Sequence, residues 1–318
     1  MAIFADPSAN TPVSIVTPEP AGESLLAIDE SAIREKFKQH GALLFRGFDF
    51  DLDIFAAMTQ KFCVTAAFNR SEDREILDDK GRIQTVNLGV KEFPLHPELS
   101  REPWKPDVCF FASLKDQTEG GETVVCDGVE IVKRMPPDIY KALESRRLLY
   151  QQPLRRDEMR LWLNTDDPSD DQLQSPPGHC PFSFSVTSNK AIIRRFSRPA
   201  LHTPMFTDKL AFGNFLFFAW FGLNVRNFPT FEDGSTVPVS LLNQIKEISD
   251  EITYPVAWQK NDLVMVDNTR FMHGRRKVLN PESRLIATYF GYLNFAVPND
   301  EEPENPILRD PEAEMRFT

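Results

Sequence analysis

The stretch Leu95-His96-Pro97-Glu98-Leu99-Ser100 places an imidazole and a carboxylate two residues apart, just after a strand candidate at 83–90. A second histidine, His273, follows another strand candidate at 262–267. A His-x-Glu pair with one distant histidine forms the 2-His-1-carboxylate ligand set, which holds Fe(II) on one face and leaves the other positions open. The sequence therefore predicts a metal site, and its candidate ligands are His96, Glu98 and His273.

The residues around these ligands predict that they lie at strand ends. Pro94 and Pro97 flank His96, and proline interrupts the hydrogen bonding of a central strand. Asp267-Asn268 turns the chain before His273, and Gly274 follows it. We therefore expect the ligands at strand ends or in the loops beyond them, where a rigid scaffold meets solvent.

Further along the chain, short apolar segments alternate with proline- and glycine-containing turns. The other strand candidates are 42–46, 107–114, 122–126, 147–153, 181–187, 190–196, 210–218, 253–258 and 285–293. Helical periodicity predicts helices that begin near Ser31, as an N-cap, and cover 52–62, 128–134, 137–145 and 239–252. Many short strands with such turns indicate a β-rich α+β protein built on a jelly roll or a barrel.

Length and composition favour one large enzyme domain. A chain of 318 residues fits this class, because β-rich domains often exceed about 200 residues as one unit. We expect a single domain over 1–318, with an N-terminal extension at 1–25 and a C-terminal tail at 297–318. The acidic, proline-rich segment 299–304 is predicted to be mobile.

Charge and cysteine content limit the partners and the compartment. A formal net charge of −11 argues against nucleic acid and disfavours an anionic membrane surface. Four cysteines without a C-x-x-C pair, and an N-terminus without a basic leader region, predict a cytoplasmic protein. The apolar segment 211–223 is too short to span a bilayer and is predicted to be core.

Several segments between about 41 and 293 resemble the taurine dioxygenase-like (TauD/TfdA) family of Fe(II)/2-oxoglutarate-dependent oxygenases. The resemblance is greatest to members with glutamate in the ligand set, which are clavaminate synthase-like and amino-acid β-hydroxylase-like. The order and spacing of the matching segments together are specific to the family, whereas each segment alone is a weak signal. The segments are Gly41-Ala42-Leu43-Leu44-Phe45-Arg46-Gly47-Phe48, Leu95 to Ser100, Gly120-Gly121-Glu122-Thr123, Phe231-Glu232-Asp233-Gly234-Ser235, Trp258-Gln259-Lys260-Asn261-Asp262-Leu263, Asp267 to Arg275, and Arg284.

The resemblance implies a fold, a cofactor set and site residues. It implies a double-stranded β-helix (jelly roll) core with flanking helices, and an enzyme that uses Fe(II), 2-oxoglutarate and O₂. His96, Glu98 and His273 match the iron ligands. Thr123 and Arg284 match the residues that hold the distal carboxylate of 2-oxoglutarate, and the planar donor fork of arginine suits that carboxylate better than lysine would. Lys260-Asn261 replaces the Pro-Gly or Arg-Gly type of turn, and asparagine tolerates the same backbone.

The substrate is less constrained by the sequence. We expect a small polar metabolite, an amino acid or a natural-product intermediate, with hydroxylation as the default outcome. Desaturation, oxidative ring closure, a carrier-tethered substrate and a homo-oligomer stay open. In this acidic chain, three arginines form a candidate clamp for a substrate carboxylate, and a solvated strand face is the alternative; they are Arg194, Arg195 and Arg198.

Two other interpretations compete with an oxygenase site. A non-catalytic jelly roll that binds a metal or ligand would be expected to lose an iron or 2-oxoglutarate residue, and this chain retains them all. A second metal site would need His179, Cys180 and His202, but their spacing fits no closed zinc pattern.

Overall fold

The computed structural model describes residues 2–8, 11–19, 22–67, 69, 71–115, 120–297 and 307–311. The segment 299–304, which we predicted to be mobile, lies outside these ranges. The α-helices in the described ranges are α1 (Glu30–His40), α2 (Leu52–Phe62), α3 (Gly128–Arg134), α4 (Pro137–Leu143), α5 (Arg156–Leu163), α6 (Asp170–Gln174) and α7 (Val239–Ile252).

The strands are more numerous than the helices and belong to three sheets. They are β1 (Ile3–Ala5), β2 (Ser14–Thr17), β3 (Ala42–Phe45), β4 (Cys63–Ala66), β5 (Gln84–Thr85), β6 (Phe93–His96), β7 (Val108–Ser113), β8 (Thr123–Asp127), β9 (Arg147–Pro153), β10 (Ser183–Val186), β11 (Ile192–Pro199), β12 (Thr230–Phe231), β13 (Tyr254–Val256), β14 (Leu263–Asp267), β15 (Phe271–Arg275) and β16 (Ile286–Leu293). The predicted sheet-rich mixture of α and β structure is confirmed.

The largest sheet has eight strands in the order β1-β2-β3-β14-β7-β16-β4, with β5 also paired to β16. A four-stranded sheet, β13-β8-β15-β6, carries the histidines, and a third sheet has the order β10-β11-β9-β12. The β2–β3 pair is parallel and the other strand pairs are antiparallel. The strand β2 brings part of the predicted N-terminal extension into the largest sheet.

Alternation along the central strands of the largest sheet explains why both of its faces are covered. Leu43 and Phe110 point to one face and pack with Phe37 of α1 and Phe55 of α2. Their neighbours in sequence point to the opposite face, because successive side chains of a strand alternate. That face meets the β13-β8-β15-β6 sheet across a second apolar cluster, which includes Leu44, Phe111, Val125, Trp258, Val264 and Phe290. The candidate ligands lie beside this second cluster.

The predicted helices 52–62, 128–134 and 239–252 are confirmed with the same bounds, but the N-cap of α1 was placed incorrectly. Asp29, two residues before Ser31, caps α1 by accepting a hydrogen bond from the Ser31 amide at 3.0 Å. The helix ends at Gly41, whose φ of +75° is the left-handed conformation that glycine adopts at little cost.

Two strand predictions were wrong. Only Gln84 and Thr85 of the segment 83–90 are extended as a strand, and the strand that leads to the metal ligands is β6. β6 contains Pro94 because it lies at the edge of its sheet, where one side needs no hydrogen-bond donor. The segment 210–218 is not a strand, since it leads into a π-helical turn at Phe218–Gly222. A segment that is apolar throughout has no periodicity that would distinguish a strand from a helix.

The helices α5 and α6 were not predicted. In the chain they lie between β9 and β10, which are two strands of the third sheet. No helix among the described residues has the length and apolar character needed to span a membrane.

Candidate functional site

The three predicted metal ligands converge in space. β15 pairs with β6 in a register that sets His273 opposite His96, and Glu98 follows two residues after the end of β6. One ligand atom from each of the three side chains lies within 4.8 Å of the other two. Gly274 makes the close pairing feasible, because a Cβ there would lie 2.6 Å from the Phe93 carbonyl oxygen. The structure thus joins residues that are 177 positions apart in the sequence.

The two imidazoles are held by different contacts. His96 Nδ1 lies 2.8 Å from the Pro94 carbonyl oxygen, which favours a proton on Nδ1 and leaves Nε2 as the ligand atom. The ring centroid of His96 is 4.7 Å from that of Phe218 and 4.7 Å from that of His273. His273 Nε2 lies 3.5 Å from a Glu98 carboxylate oxygen, and its ring packs 5.0 Å from Phe111.

Asn268 fixes the backbone of Glu98. Its side-chain oxygen accepts a hydrogen bond from the Glu98 amide at 2.7 Å, and its side-chain nitrogen donates to the Glu98 carbonyl at 3.1 Å. The same nitrogen also donates to the Pro106 carbonyl at 2.8 Å. Asn268 is fully buried, so these bonds compete little with water.

The Glu98 carboxylate is supported by two further side chains. Asn69 Nδ2 donates to it at 2.6 Å, and the Arg74 guanidinium lies 3.5 Å away. Burial opposes ionisation, yet Arg74 and His273 together hold the pKa of Glu98 well below its usual range. The group is therefore an anion at neutral pH.

The protonation states fit a divalent metal. Burial, and then the neighbouring His273 imidazole, lower the pKa of His96 to about 4. A neutral imidazole beside an ionised carboxylate is the form that binds a metal without releasing protons. His273 Nδ1 is buried and has no hydrogen-bond partner among the described residues. The donor set and its charge thus fit Fe(II), which takes nitrogen and carboxylate ligands.

Arg284 and Thr123 lie in the same cavity as the ligands, which has a volume of about 200 Å³. Arg284 Nε donates to the Gly121 carbonyl at 3.0 Å, and Thr123 Oγ1 accepts from Trp258 Nε1 at 3.2 Å. Gly121 has a φ of +69°, and a Cβ there would lie 3.0 Å from the Arg284 side chain. The absence of a side chain at Gly121 therefore leaves the space that Arg284 occupies.

This cavity carries positive charge that the protein does not neutralise. Burial, and then Arg275, lower the pKa of Arg284 to about 9, and no carboxylate in the described part of the chain pairs with it. Burial, and then Arg74, lower the pKa of Arg275 to about 10. Arg275 donates to the backbone carbonyls of Asn87 and Lys91. The arrangement leaves Arg284 available to an anion that enters the cavity.

None of the three arginines of β11 lines the metal cavity. The guanidinium of Arg194 binds both oxygens of Glu102, at 2.7 and 3.0 Å, and lies 3.1 Å from Glu158. Arg198 donates to backbone carbonyls of the segment 100–103. Arg195 is on the opposite face of the strand from Arg194. Arg194 and Arg198 thus already have partners in the chain.

The second metal site gains no support, since the described residues contain one cluster with metal-ligand spacing, His96, Glu98 and His273. The buried His202 instead contacts the Thr269 carbonyl oxygen at 2.6 Å. Sequence reasoning missed the three residues that contact Glu98, namely Asn69, Arg74 and Asn268, and a further cation that lines the cavity, Arg275. Asn268 and Arg275 lie within the segment Asp267 to Arg275 that resembles the family, but no sequence pattern signals their role.

Most of the chain resembles one family of dioxygenases. A family profile described as "Taurine catabolism dioxygenase TauD, TfdA family" matches residues 13–289. A clavaminate synthase-like protein of Arabidopsis thaliana is 24% identical over 319 aligned positions, which cover 90% of this chain and 92% of the relative.

Solved structures show the same fold. A taurine dioxygenase from Burkholderia xenovorans superposes with a TM-score of 0.60 at 12% identity, covering 99% of this chain and 98% of the other. PvcB from Pseudomonas aeruginosa gives 0.60 at 14% identity, covering 94% of both chains. The profile covers well over half of the chain, and the resemblance found in the sequence is confirmed: the protein belongs to the TauD/TfdA family of dioxygenases.

Proposed function

We propose that this protein is an Fe(II)/2-oxoglutarate-dependent dioxygenase that oxidises an unactivated C–H bond of a small organic metabolite, with hydroxylation as the default outcome. One observation carries the proposal: a 2-His-1-carboxylate cluster shares a cavity of about 200 Å³ with an arginine that has no carboxylate partner in the described chain. The cluster suits the metal, and the arginine suits a dicarboxylate cosubstrate. PvcB is itself described as an Fe, α-ketoglutarate-dependent oxygenase from an isonitrile synthetic pathway, which supports the assignment.

The proposal extends to the architecture. We assign the strands β3, β14, β7 and β16 and the strands β13, β8, β15 and β6 as the two halves of a double-stranded β-helix. The first half is the rigid support, covered on its outer face by α1 and α2. The second half carries the ligands. On this view residues 1–318 form a single domain.

Each polar residue of the site then has a defined task. His96, Glu98 and His273 hold the iron, which when bound couples O₂ reduction and decarboxylation of 2-oxoglutarate to oxidation of the substrate. Arg284 binds the distal carboxylate of 2-oxoglutarate with its donor fork, and the Thr123 hydroxyl supports it.

Neighbouring aromatic side chains orient the cofactor-binding residues and shield them from water. Trp258 donates to the Thr123 oxygen at 3.2 Å, which occupies one lone pair of that oxygen and leaves the hydroxyl proton for an acceptor. Phe111 and Phe218 pack against the two imidazoles, so the ligand atoms face the cavity rather than bulk water. Exclusion of water strengthens the ion pair that Arg284 forms with the cosubstrate.

The test is an anaerobic binding measurement followed by turnover. Isothermal titration should show 2-oxoglutarate binding to the Fe(II)-loaded protein, and admission of O₂ should give succinate. A protein that binds metal and 2-oxoglutarate but forms no succinate with any metabolite of a broad panel would be a non-catalytic binding protein. A protein that does not bind 2-oxoglutarate would refute the proposal.

A further inference from the structure

A second and larger cavity adjoins the metal cavity. This chamber has a volume of about 980 Å³, against about 200 Å³ for the metal cavity. The two share four lining residues, which define the neck between them: Asn69, Ser71, Leu99 and Arg101. A molecule in the chamber can therefore extend a group through the neck toward the metal ligands.

The size of the chamber indicates the size of the molecule that would fill it. Protein cavities of roughly 300–1,000 Å³ hold drug-sized ligands, so a free amino acid would leave most of this chamber empty. One wall is apolar, with the rings of Trp104 and Trp162 packed edge-on at 5.4 Å and Leu161, Tyr292 and Leu308 nearby. An aromatic or branched aliphatic body would bury that wall, which favours binding.

With one exception, each charged residue that lines the chamber has an oppositely charged partner. Arg194 pairs with Glu102 and Glu158, and Arg155 lies 3.2 Å from Asp157. Arg160 pairs with Asp166 at the rim. The exception is Arg101 at the neck, for which no hydrogen bond or ion pair is found among the described residues.

The backbone positions Arg101 firmly, although its side chain is exposed. Leu99 has a φ of +52°, which is costly for a residue with a Cβ, and the turn it forms begins one residue after Glu98. Arg198 donates to the carbonyls of Ser100, Glu102 and Pro103 at 3.4, 3.2 and 2.7 Å. Two arginines of β11 thus hold the segment that carries Arg101.

We propose that Arg101 anchors the anionic group of the primary substrate at the neck, and that the substrate is a carboxylate with an apolar body larger than a free amino acid. This rests on the proposed function, since the anchor matters because it sets one C–H bond beside the metal ligands. The role of binding a substrate carboxylate, which the sequence predicted for the β11 arginines, is thereby assigned to Arg101. Arg194 and Arg198 of β11 instead hold the segment that carries Arg101.

The probes are carboxylic acids of about 12–25 non-hydrogen atoms with aromatic or branched aliphatic bodies, each paired with its primary amide. Ligand-observed NMR and titration calorimetry on the metal-free protein measure binding without turnover. The variants are Arg101→Gln, Arg101→Lys and the control Arg156→Gln, which removes a positive charge outside both cavities. Binding of 2-oxoglutarate to the metal-loaded proteins is measured separately.

We expect carboxylates to bind the wild-type protein better than their amides. Arg101→Gln should weaken carboxylate binding by on the order of 10- to 100-fold, because a charge-assisted hydrogen-bond pair is lost. Arg101→Lys should fall between the two, and Arg156→Gln should stay within about twofold of wild type because exposed, distant charges are screened. Arg101 is exposed, so the variants should fold normally.

The proposal is overturned if no carboxylate binds better than its amide, or if Arg101→Gln binds carboxylates as tightly as Arg156→Gln does. Failure of the wild-type protein to bind 2-oxoglutarate would instead count against the proposed function, because the chamber measurement uses neither metal nor cosubstrate. If free amino acids bind more tightly than the larger carboxylates, the assigned size class is wrong.

Discussion

Replacement of Arg284 by methionine separates the cosubstrate site from the stability of the fold. Methionine keeps a long apolar side chain beside Gly121 but removes the guanidinium. In the wild-type protein Arg284 Nε donates to the Gly121 carbonyl at 3.0 Å, while no carboxylate in the described chain offsets the charge. The substitution therefore removes the cationic partner of a bound dicarboxylate together with one hydrogen bond to the Gly121 carbonyl.

The loss in affinity can be estimated from the burial of the site. Leaving a buried carboxylate without its cationic partner costs about 3–5 kcal/mol, which corresponds to a roughly 150- to 4,000-fold weaker 2-oxoglutarate complex. Calorimetric titration of the Fe(II)-loaded protein under anaerobic conditions measures this directly. Arg276→Met is the matched control, because Arg276 is exposed and does not line the cavity.

The ligand-free variant should be no less stable than the wild-type protein. Burial lowers the pKa of Arg284 to about 9, below its ordinary value of 12.5, so the fold disfavours the charged form. At pH 7 the group is charged in both states, so the cost is fully present, and it is relieved only as the pH rises from about 9 toward 12.5. We expect the melting temperature of Arg284→Met at pH 7 to equal or exceed that of wild type. A 2-oxoglutarate affinity within threefold of Arg276→Met would refute the reasoning.

Three further substitutions test other parts of the site. Asn268→Ala leaves buried backbone groups of Glu98 without partners at about 1–3 kcal/mol each, so chemical denaturation should show a loss of at least that size, with weaker metal binding; unchanged stability would contradict the clamp. Gly121→Ala adds about 1–2 kcal/mol of left-handed strain and pushes on Arg284, so calorimetry should show weaker 2-oxoglutarate binding with metal content unchanged; the opposite pattern would contradict it. Burial raises the pKa of Asp267 to about 6 from 3.8, so the folded state binds a proton that the unfolded chain releases, and stability falls by about 3 kcal/mol as the pH rises through this window. Asp267→Asn should lack that fall, and parallel pH profiles of unfolding free energy for the two proteins would disprove the assignment.

Much of the scaffold was predictable because its periodicity is strong. The helices 52–62 and 239–252 have one apolar face each, and the structure reproduces their bounds. The turn at Asn261 was also foreseen, and its φ of +64° is the left-handed conformation that asparagine tolerates. Local patterns suffice for such elements, because the face that becomes buried is already visible in the sequence.

Other parts depend on contacts that no local pattern records. Pro94 was expected to end a strand, yet β6 contains it because β6 lies at a sheet edge. Asn268 was visible only as part of a turn, whereas its function is to hold the Glu98 backbone 170 residues away in the chain. The β11 arginines were recognised as a cluster, but their carboxylate and carbonyl partners come from the segment 100–103 and from α5. Sequence position alone does not reveal such pairings.

Iron binding tests the central claim most directly. In anaerobic equilibrium dialysis against Fe(II), the wild-type protein should bind one iron per chain. The control His40→Gln should do the same, because His40 contacts Asp6 in an exposed pair and is not one of the clustered ligands. His96→Ala should retain little or no iron, because the two remaining ligands, Glu98 and His273, hold a labile divalent metal weakly. One iron per chain in His96→Ala, bound as tightly as in the wild-type protein, would contradict the account.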